Sequence, residues 1–388
     1  MPSRYASGPK QDALVPAVHH ASTYVVDSAA ELAGLLDGSI EGYSYARIDS
    51  PTADAFAAGV AALEDPESGT ARGQAFASGM AAISTTLLSL LQPGDHVVAP
   101  ASCYGGTYQL LRGTLARFGI STTFANQSDA AAMAAALTDR TKLIWAEAFA
   151  NPTMLMADIP ALASVAHGAG ALLCVDATFA SPSVMRPLSH GADLVMHSAT
   201  KYLGGHSDAT GGVIVGEPGL VSRIRATRIE LGPMLAPDEA YLLHRGLITL
   251  DVRVARQCET ASLLAAQLAA DPRLERVDHP SLPTHPSHEV ALRLCDPGRY
   301  GAVLTLSPRG GRAAGMAFVD ALRTIPQATS LGGAHTTASH AASSSHRQFD
   351  DAALLAAGLL PAGVRLSVGL EDPAVLMEDL TRAREFLP

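Results

Sequence analysis

From Asp54 onward the chain alternates Ala- and Leu-rich stretches of helical spacing with short apolar runs. The runs include His96–Pro100 (HVVAP), Thr141–Phe149 (TKLIWAEAF), Ala171–Phe179 (ALLCVDATF), Asp193–Lys201 (DLVMHSATK) and Gly211–Gly216 (GGVIVG). Most follow glycine or a charged residue and are short enough to be strands. Met80–Leu91 and Ile159–Gly170 lie between them with the spacing of helices. Strands apolar on both faces, alternating with helices, predict a mostly parallel sheet covered on both sides. Ligands of such sheets bind beyond the carboxyl ends of the strands, so the residues just after each apolar run are the first to inspect.

A long helical pattern, Pro237–Asp271, leads to a second lobe in which Ala302–Pro308, Gly315–Thr324 and Gly363–Asp372 read as a small α+β unit. Between them Ala328–Gln348 is rich in Ser, Thr, Gly and His, which predicts a loop outside the core, long enough to be functional. A chain of 388 residues exceeds what one hydrophobic core usually serves, about 250–300 residues, so two lobes are expected. We divide it into residues 1–53, an α/β domain over 54–245 and an α+β domain over 246–388.

Hydrophobic residues make up 48% of the chain and charged residues 16%, which suits a globular protein burying much surface, some of it between subunits. The net charge of −10 argues against nucleic acid and anionic membranes as partners. Cys103, Cys174, Cys258 and Cys295 are too scattered for a disulfide framework or zinc motif, so a reducing cytoplasm is expected. The first residues lack the apolar core of a signal peptide, and no run approaches the ~18 apolar residues of a membrane span. His279, His285, His288, His335, His340 and His346 are irregularly spaced with no carboxylate cluster, so no metal is expected.

The chemistry gathers at the strand ends. Leu194–Met196 runs into His197-Ser198-Ala199-Thr200-Lys201, a single lysine among small hydroxyl residues. Glu147 and Asn151 follow one run, and Asp176 and Thr178 close another. Upstream, Ser78-Gly79-Met80 opens a helix whose free N–H groups favour an anion such as phosphate. Each piece has an ordinary reading: a solvated lysine, a turn-forming aspartate, a plain helix cap. Together they point to pyridoxal 5′-phosphate, which needs a lysine to carry its aldehyde as a Schiff base, a carboxylate for the pyridine nitrogen, and amides and hydroxyls for the phosphate.

Eight motifs in order carry a resemblance: YARIDSPT (Tyr45–Thr52), ASGMAAI (Ala77–Ile83), YGGT (Tyr104–Thr107), EAFANP (Glu147–Pro152), DATFASP (Asp176–Pro182), SATKYLGGHSDATGG (Ser198–Gly212), SLGG (Ser330–Gly333) and VRLSVGLED (Val364–Asp372). From about Val15 to Glu385 the chain resembles the Cys/Met metabolism family of pyridoxal-phosphate enzymes, which includes cystathionine γ-lyase, cystathionine β-lyase, cystathionine γ-synthase and methionine γ-lyase. The resemblance implies the aspartate aminotransferase-like transferase fold, known as fold type I, and a homotetramer built as a dimer of dimers with shared active sites. It makes Lys201 the Schiff-base lysine and proton shuttle, Asp176 the partner of the pyridine nitrogen, Asn151 the neighbour of the ring hydroxyl and of the substrate, and Tyr104 the stacking ring and candidate acid. Gly79, Met80, Thr178, Ser198 and Thr200 would cradle the cofactor. Tyr45 and Arg47, on the N-terminal arm, would reach the phosphate of a neighbouring subunit. Arg365, assisted by Ser330, would hold the substrate α-carboxylate, a task that suits a planar guanidinium.

The implied activity is β- or γ-elimination on a sulfur-containing amino acid, like that of cystathionine γ-lyase, giving a 2-oxo acid, ammonia and a thiol. The alternatives are γ-replacement, as in cystathionine γ-synthase, an O-acylhomoserine sulfhydrylase or a bond-forming biosynthetic relative, and methionine γ-lyase. Three departures bear on the choice. Ser50-Pro51-Thr52 stands where the family usually has Asn-Pro-Thr. Gly105-Gly106 follows Tyr104, whereas methionine γ-lyases carry a cysteine at the second position. His335 replaces an acidic residue of cystathionine-processing members, which removes a partner for a distal amino group and favours a neutral or anionic substrate side chain.

Overall fold

The computed structural model describes residues 13–347 and 349–386. Its larger sheet has seven strands: β1 (Arg72–Phe76), β2 (His96–Pro100), β3 (Ser121–Ala125), β4 (Thr141–Glu147), β5 (Leu172–Asp176), β6 (Leu194–Ser198) and β7 (Gly212–Gly216). They lie in the order β1-β7-β6-β5-β4-β2-β3, with β3, β2, β4, β5 and β6 mutually parallel and β7 antiparallel to both its neighbours. Alternate residues of each central strand enter cores on opposite faces. In β4, Ile144 and Ala146 join Phe56, Val60 and Leu173 on one side, while Leu143 and Trp145 join Phe76, Ile83 and Leu194 on the other. Burying each such large side chain contributes about 1.5–3 kcal/mol, which is why these runs carry so little polar punctuation.

The helix Gly79–Leu90 starts at Ser78, which is extended and accepts the Ala81 N–H through its hydroxyl at 3.1 Å. Two glycines let β6 and β7 close on this start. A Cβ on Gly212 would lie 2.3 Å from the Ser78 carbonyl oxygen, and one on Gly79 would lie 2.8 Å from Ser198 Cβ. The carboxyl end of β6 therefore sits directly against the first turn of the helix.

The helical pattern over Pro237–Asp271 is two helices, Pro237–Ile248 and Leu250–Ala269, broken at Thr249. Arg253 repairs the break, donating to Thr249 Oγ1 at 3.1 Å, Gly246 O at 2.7 Å and Tyr202 O at 3.1 Å. The second lobe is an antiparallel sheet, ordered β10-β11-β9-β8, of β8 (Leu274–Asp278), β9 (Val303–Pro308), β10 (Thr337–His340) and β11 (Val364–Ser367). Leu264 and Leu268, Phe318, and Leu376 and Leu380 from three helices pack against it.

Two expectations are corrected. The polar segment Ala328–Gln348 does not lie wholly outside the core, because Thr337–His340 pairs with β11 and turns Ala338 and His340 inward. Backbone pairing satisfies its N–H and C=O groups whatever its side chains. The His279–His288 stretch, whose resemblance to a common surface segment of the family implies exposure, is also not a surface segment throughout. His279 and His285 are buried, with Nε2 against Gly301 O at 3.1 Å and Thr153 O at 3.0 Å. Burial lowers the His279 pKa to about 4, so it is neutral at pH 7. All four cysteines are buried thiols, and among the described residues no metal-binding group of His, Cys, Asp or Glu occurs and no helix is long and apolar enough to cross a membrane.

Candidate active site

The carboxyl ends of β4, β5 and β6, the start of helix Gly79–Leu90, and residues on β10, β11 and their loops enclose a cavity of about 590 Å3. Every site residue singled out in the sequence lines it except Tyr45 and Arg47. Tyr45 is exposed, and Arg47 is tied to the Ile229 carbonyl of its own chain at 2.6 Å, its guanidinium 5.5 Å from the Tyr45 ring centre.

Lys201 follows β6 in the turn that Thr200 holds. The Thr200 hydroxyl donates to Gly211 O at 3.3 Å and accepts the Gly211 N–H at 3.1 Å. Lys201 Nζ donates to Ser330 Oγ at 2.6 Å and pairs with no carboxylate among the described residues. Burial, then the positive charge of Arg365, lower its pKa, so part of it is a free amine nearer neutrality than an exposed lysine would be.

Arg365 sits on β11 between β10 and β9, not at a surface edge, and is 7% exposed. It donates to Ser330 O at 2.6 Å and Asn151 Oδ1 at 3.3 Å, while Nε is buried without a partner. A buried guanidinium facing only neutral acceptors is a site for an anion, because burying an unpaired charge is costly.

Glu147 and Asp176 are paired across β4 and β5 and both are buried. Burial, then the Asp176 charge, hold Glu147 protonated well above the usual carboxylate range, despite the Tyr104 N–H donated to it at 2.5 Å. Burial also raises Asp176, opposed by the Thr178 N–H donated to Oδ1 at 3.0 Å and by the nearby His197. Two adjacent carboxylates in a dry site do not both ionise. Both carboxyls are raised, Glu147 the more strongly, so a proton shared by the pair favours Glu147 and the charge favours Asp176. Thr178 Oγ1 also accepts the Ser198 N–H at 2.8 Å, locking the ends of β5 and β6 together. Tyr104, half exposed at the cavity, begins a short helix with Gly105-Gly106.

Residues 3–385 match the family described as Cys/Met metabolism PLP-dependent enzyme. The chain belongs to this family. It is 39% identical to L-methionine gamma-lyase of Pseudomonas putida over 96% of this chain and 92% of that one. It is 39% identical to O-succinylhomoserine sulfhydrylase of Pseudomonas aeruginosa over 93% and 88%, and 38% identical to cystathionine gamma-synthase of Mycobacterium bovis over 98% and 94%. The crystal structure of metB from Corynebacterium glutamicum superposes with a TM-score of 0.88 at 36% identity, covering 96% of this chain and 93% of that one. The protein is thus an enzyme of sulfur amino-acid metabolism with the fold type I architecture, and it depends on pyridoxal 5′-phosphate.

The cavity fits that cofactor by its own chemistry. Among the described residues it contains one amine without a carboxylate partner, a buried carboxylate without a Lys or Arg partner, and a helix start whose first N–H groups, at Gly79 and Met80, have no intrahelical acceptor. Two features of the cavity were not legible in the sequence, the raised pKa of Glu147 and the presence of Arg347. Glu147 was visible as an acid at a strand end, yet its protonation depends on the cross-strand register with Asp176. Arg347, with Ser343, Ser344 and Ser345 beside it, reaches the cavity from a loop, and only the polarity of that stretch hinted at it.

Proposed function

We propose that this enzyme catalyses elimination of the β- or γ-substituent of an amino acid, with γ-elimination as in cystathionine γ-lyase the leading form. What carries the reading is a free-standing lysine amine, a buried carboxylate and an anion-seeking arginine in one cavity. When bound, pyridoxal 5′-phosphate supplies an aldehyde for the lysine to carry and a ring that takes up electron density from the substrate Cα. Gly79 and Met80 offer backbone N–H groups to its phosphate, with Ser198 and Thr200 alongside. Asp176 would hold the proton on the pyridine nitrogen, and Thr178, whose N–H is donated to it, would keep that carboxylate oriented. Asn151 bridges the cofactor side of the cavity to the guanidinium of Arg365.

Arg365 binds the substrate α-carboxylate and Ser330 holds Lys201 beside it, fixing the amino acid between them. Nζ of Lys201, once neutral, takes the Cα proton. For a γ-substituent Nζ, having passed on the Cα proton, would also take one from Cβ, whose electron pair forms the Cβ–Cγ double bond as the bond to the departing group breaks with its own pair going to that group, and the Tyr104 hydroxyl protonates that group as it leaves. With one water consumed, the balance is 2-oxo acid, ammonia and the protonated departing group.

The second reading, γ-replacement, draws support from the likeness to the synthase and the sulfhydrylase. A methionine γ-lyase activity draws on the likeness to the Pseudomonas putida lyase, against Gly106 in the place of its cysteine. Product analysis on L-cystathionine, L-methionine, L-cysteine and O-acetyl- and O-succinyl-L-homoserine separates these readings. We expect 2-oxo acid and ammonia without added thiol. Consumption that requires a thiol and releases no 2-oxo acid would overturn elimination.

The proposal includes a cytoplasmic homotetramer, a dimer of dimers, in which Tyr45 and Arg47 complete a neighbouring subunit's phosphate site. The exposed Leu14 and Val25 of the N-terminal arm support it, since such side chains call for a covering surface. It also keeps the division into an arm (1–53), a cofactor domain (54–245) and a C-terminal domain (246–388), though the second boundary falls inside helix Pro237–Ile248.

A further inference from the structure

We infer that Arg347 selects a substrate whose side chain ends in an anion, and that the enzyme discriminates against one ending in an ammonium group. The inference rests on the elimination reading above and names the substrate class of that site. The only acids lining the cavity among the described residues are Glu147 and Asp176, both buried at strand ends in the larger sheet. On the side formed by the second lobe, the charged lining residues are two arginines, Arg365 and Arg347. Arg365 is buried and assigned to the α-carboxylate. Arg347 is exposed, lines the same cavity from the loop after β10, and has no carboxylate partner among the described residues. Among the described residues its one side-chain hydrogen bond is from Nη1 to Ser344 O at 3.3 Å.

The neighbouring hydroxyls do not compete for this role. Ser343 bonds with His340 Nδ1 at 2.7 Å, Ser344 donates to His340 O at 2.7 Å, and Ser345 bonds with His346 Nδ1 at 2.9 Å. They fix the loop and leave the guanidinium as the free donor, whose planar fork suits a carboxylate or a phosphate. His335 is exposed and outside the cavity lining, so neither it nor an acid is there to receive a distal amine.

The test compares kcat/KM for 2-oxobutanoate release from O-succinyl-L-homoserine, O-acetyl-L-homoserine and L-cystathionine, whose side chains end in an anion, a neutral methyl and a zwitterion. O-phospho-L-homoserine is included to distinguish a terminal phosphate from a terminal carboxylate. We expect the holoenzyme to prefer an anion-ended compound over O-acetyl-L-homoserine by about five- to tenfold, mostly through KM, the range of a partly exposed but bidentate ion pair. In Arg347→Ala that ratio falls toward one, and in Arg347→Glu the preference moves toward L-cystathionine. Ratios cancel differences in folding and cofactor content. A ratio unchanged in Arg347→Ala, or a wild-type preference for L-cystathionine, overturns the inference. Should consumption instead require a thiol, elimination fails while the same ratio, measured on that consumption, still judges Arg347. With no turnover at all, dissociation constants from the change in cofactor absorbance supply the ratio.

Discussion

At the residue scale, Lys201 has two demands on it: it must be buried enough to be neutral, and mobile enough to reach a substrate carbon. Among the described residues its one side-chain hydrogen bond, to Ser330, with no ion pair, meets both. Lys201→Ala is expected to lower turnover by at least ~10³-fold, the upper part of what a positioned proton-transfer group contributes, and to abolish the visible absorbance of the bound cofactor. Unchanged turnover would refute the assignment. Arg365→Leu is expected to raise KM by roughly 10–100-fold, because a charge-assisted pair with the α-carboxylate is worth about 1.5–3 kcal/mol. A KM within twofold of wild type would show that the carboxylate binds elsewhere. Lys201, Asp176 and Asn151 were legible in the sequence because each stands at or just beyond a strand end, where the fold exposes it to a ligand, whereas Arg365 was reached only through the resemblance carried by its VRLSVGLED motif. Glu147 as a proton-sharing partner was not legible. That role follows from the register of β4 on β5, a relation between residues distant in sequence.

At the element scale, the two-sided apolar runs made the large sheet legible. Its central strands are buried on both faces and have no room for polar alternation. Thr337–His340 was not legible, being a polar segment whose strand state comes from the neighbour it pairs with. Nor was the break at Thr249, which depends on Arg253 reaching back to the Gly246 carbonyl. The base of the N-terminal arm carries a testable electrostatic feature. Asp49 pairs with Arg225 and Arg228, and Asp54, close by, has its pKa raised to about 6, first by burial and then by the Asp49 charge. A carboxyl whose folded pKa lies above its unfolded value, about 3.9, binds more protons folded than unfolded between those values. Its contribution therefore declines as pH rises from about 4 to about 6 and is level above that, by an amount on the order of 2–3 kcal/mol at most. Asp54→Asn should remove this slope, raising Tm at pH 7.5 relative to wild type while changing it little at pH 4.5. The opposite ordering would mean that Asp54 is ionised at little cost in the fold.

At the scale of the whole molecule, the placement of Tyr45 and Arg47 needs an explanation. In their own chain they lie outside the cavity, with Arg47 held to helix Pro218–Leu231 through Ile229. A phosphate-binding role for them therefore requires a second subunit, and a symmetric dimer would exchange two such arms. This geometry makes a prediction that no monomeric arrangement can imitate. Co-expressed chains carrying Arg47→Ala and Lys201→Ala each lack one part of the site. In a mixed dimer one site combines both intact parts and the other combines both defects, so random pairing restores about a quarter of the wild-type sites. Activity well above the sum of the two separate variants, with cofactor absorbance returning in proportion, is the expected outcome. A mixture no more active than its components would place Arg47 in its own chain's function and remove the basis for a shared site.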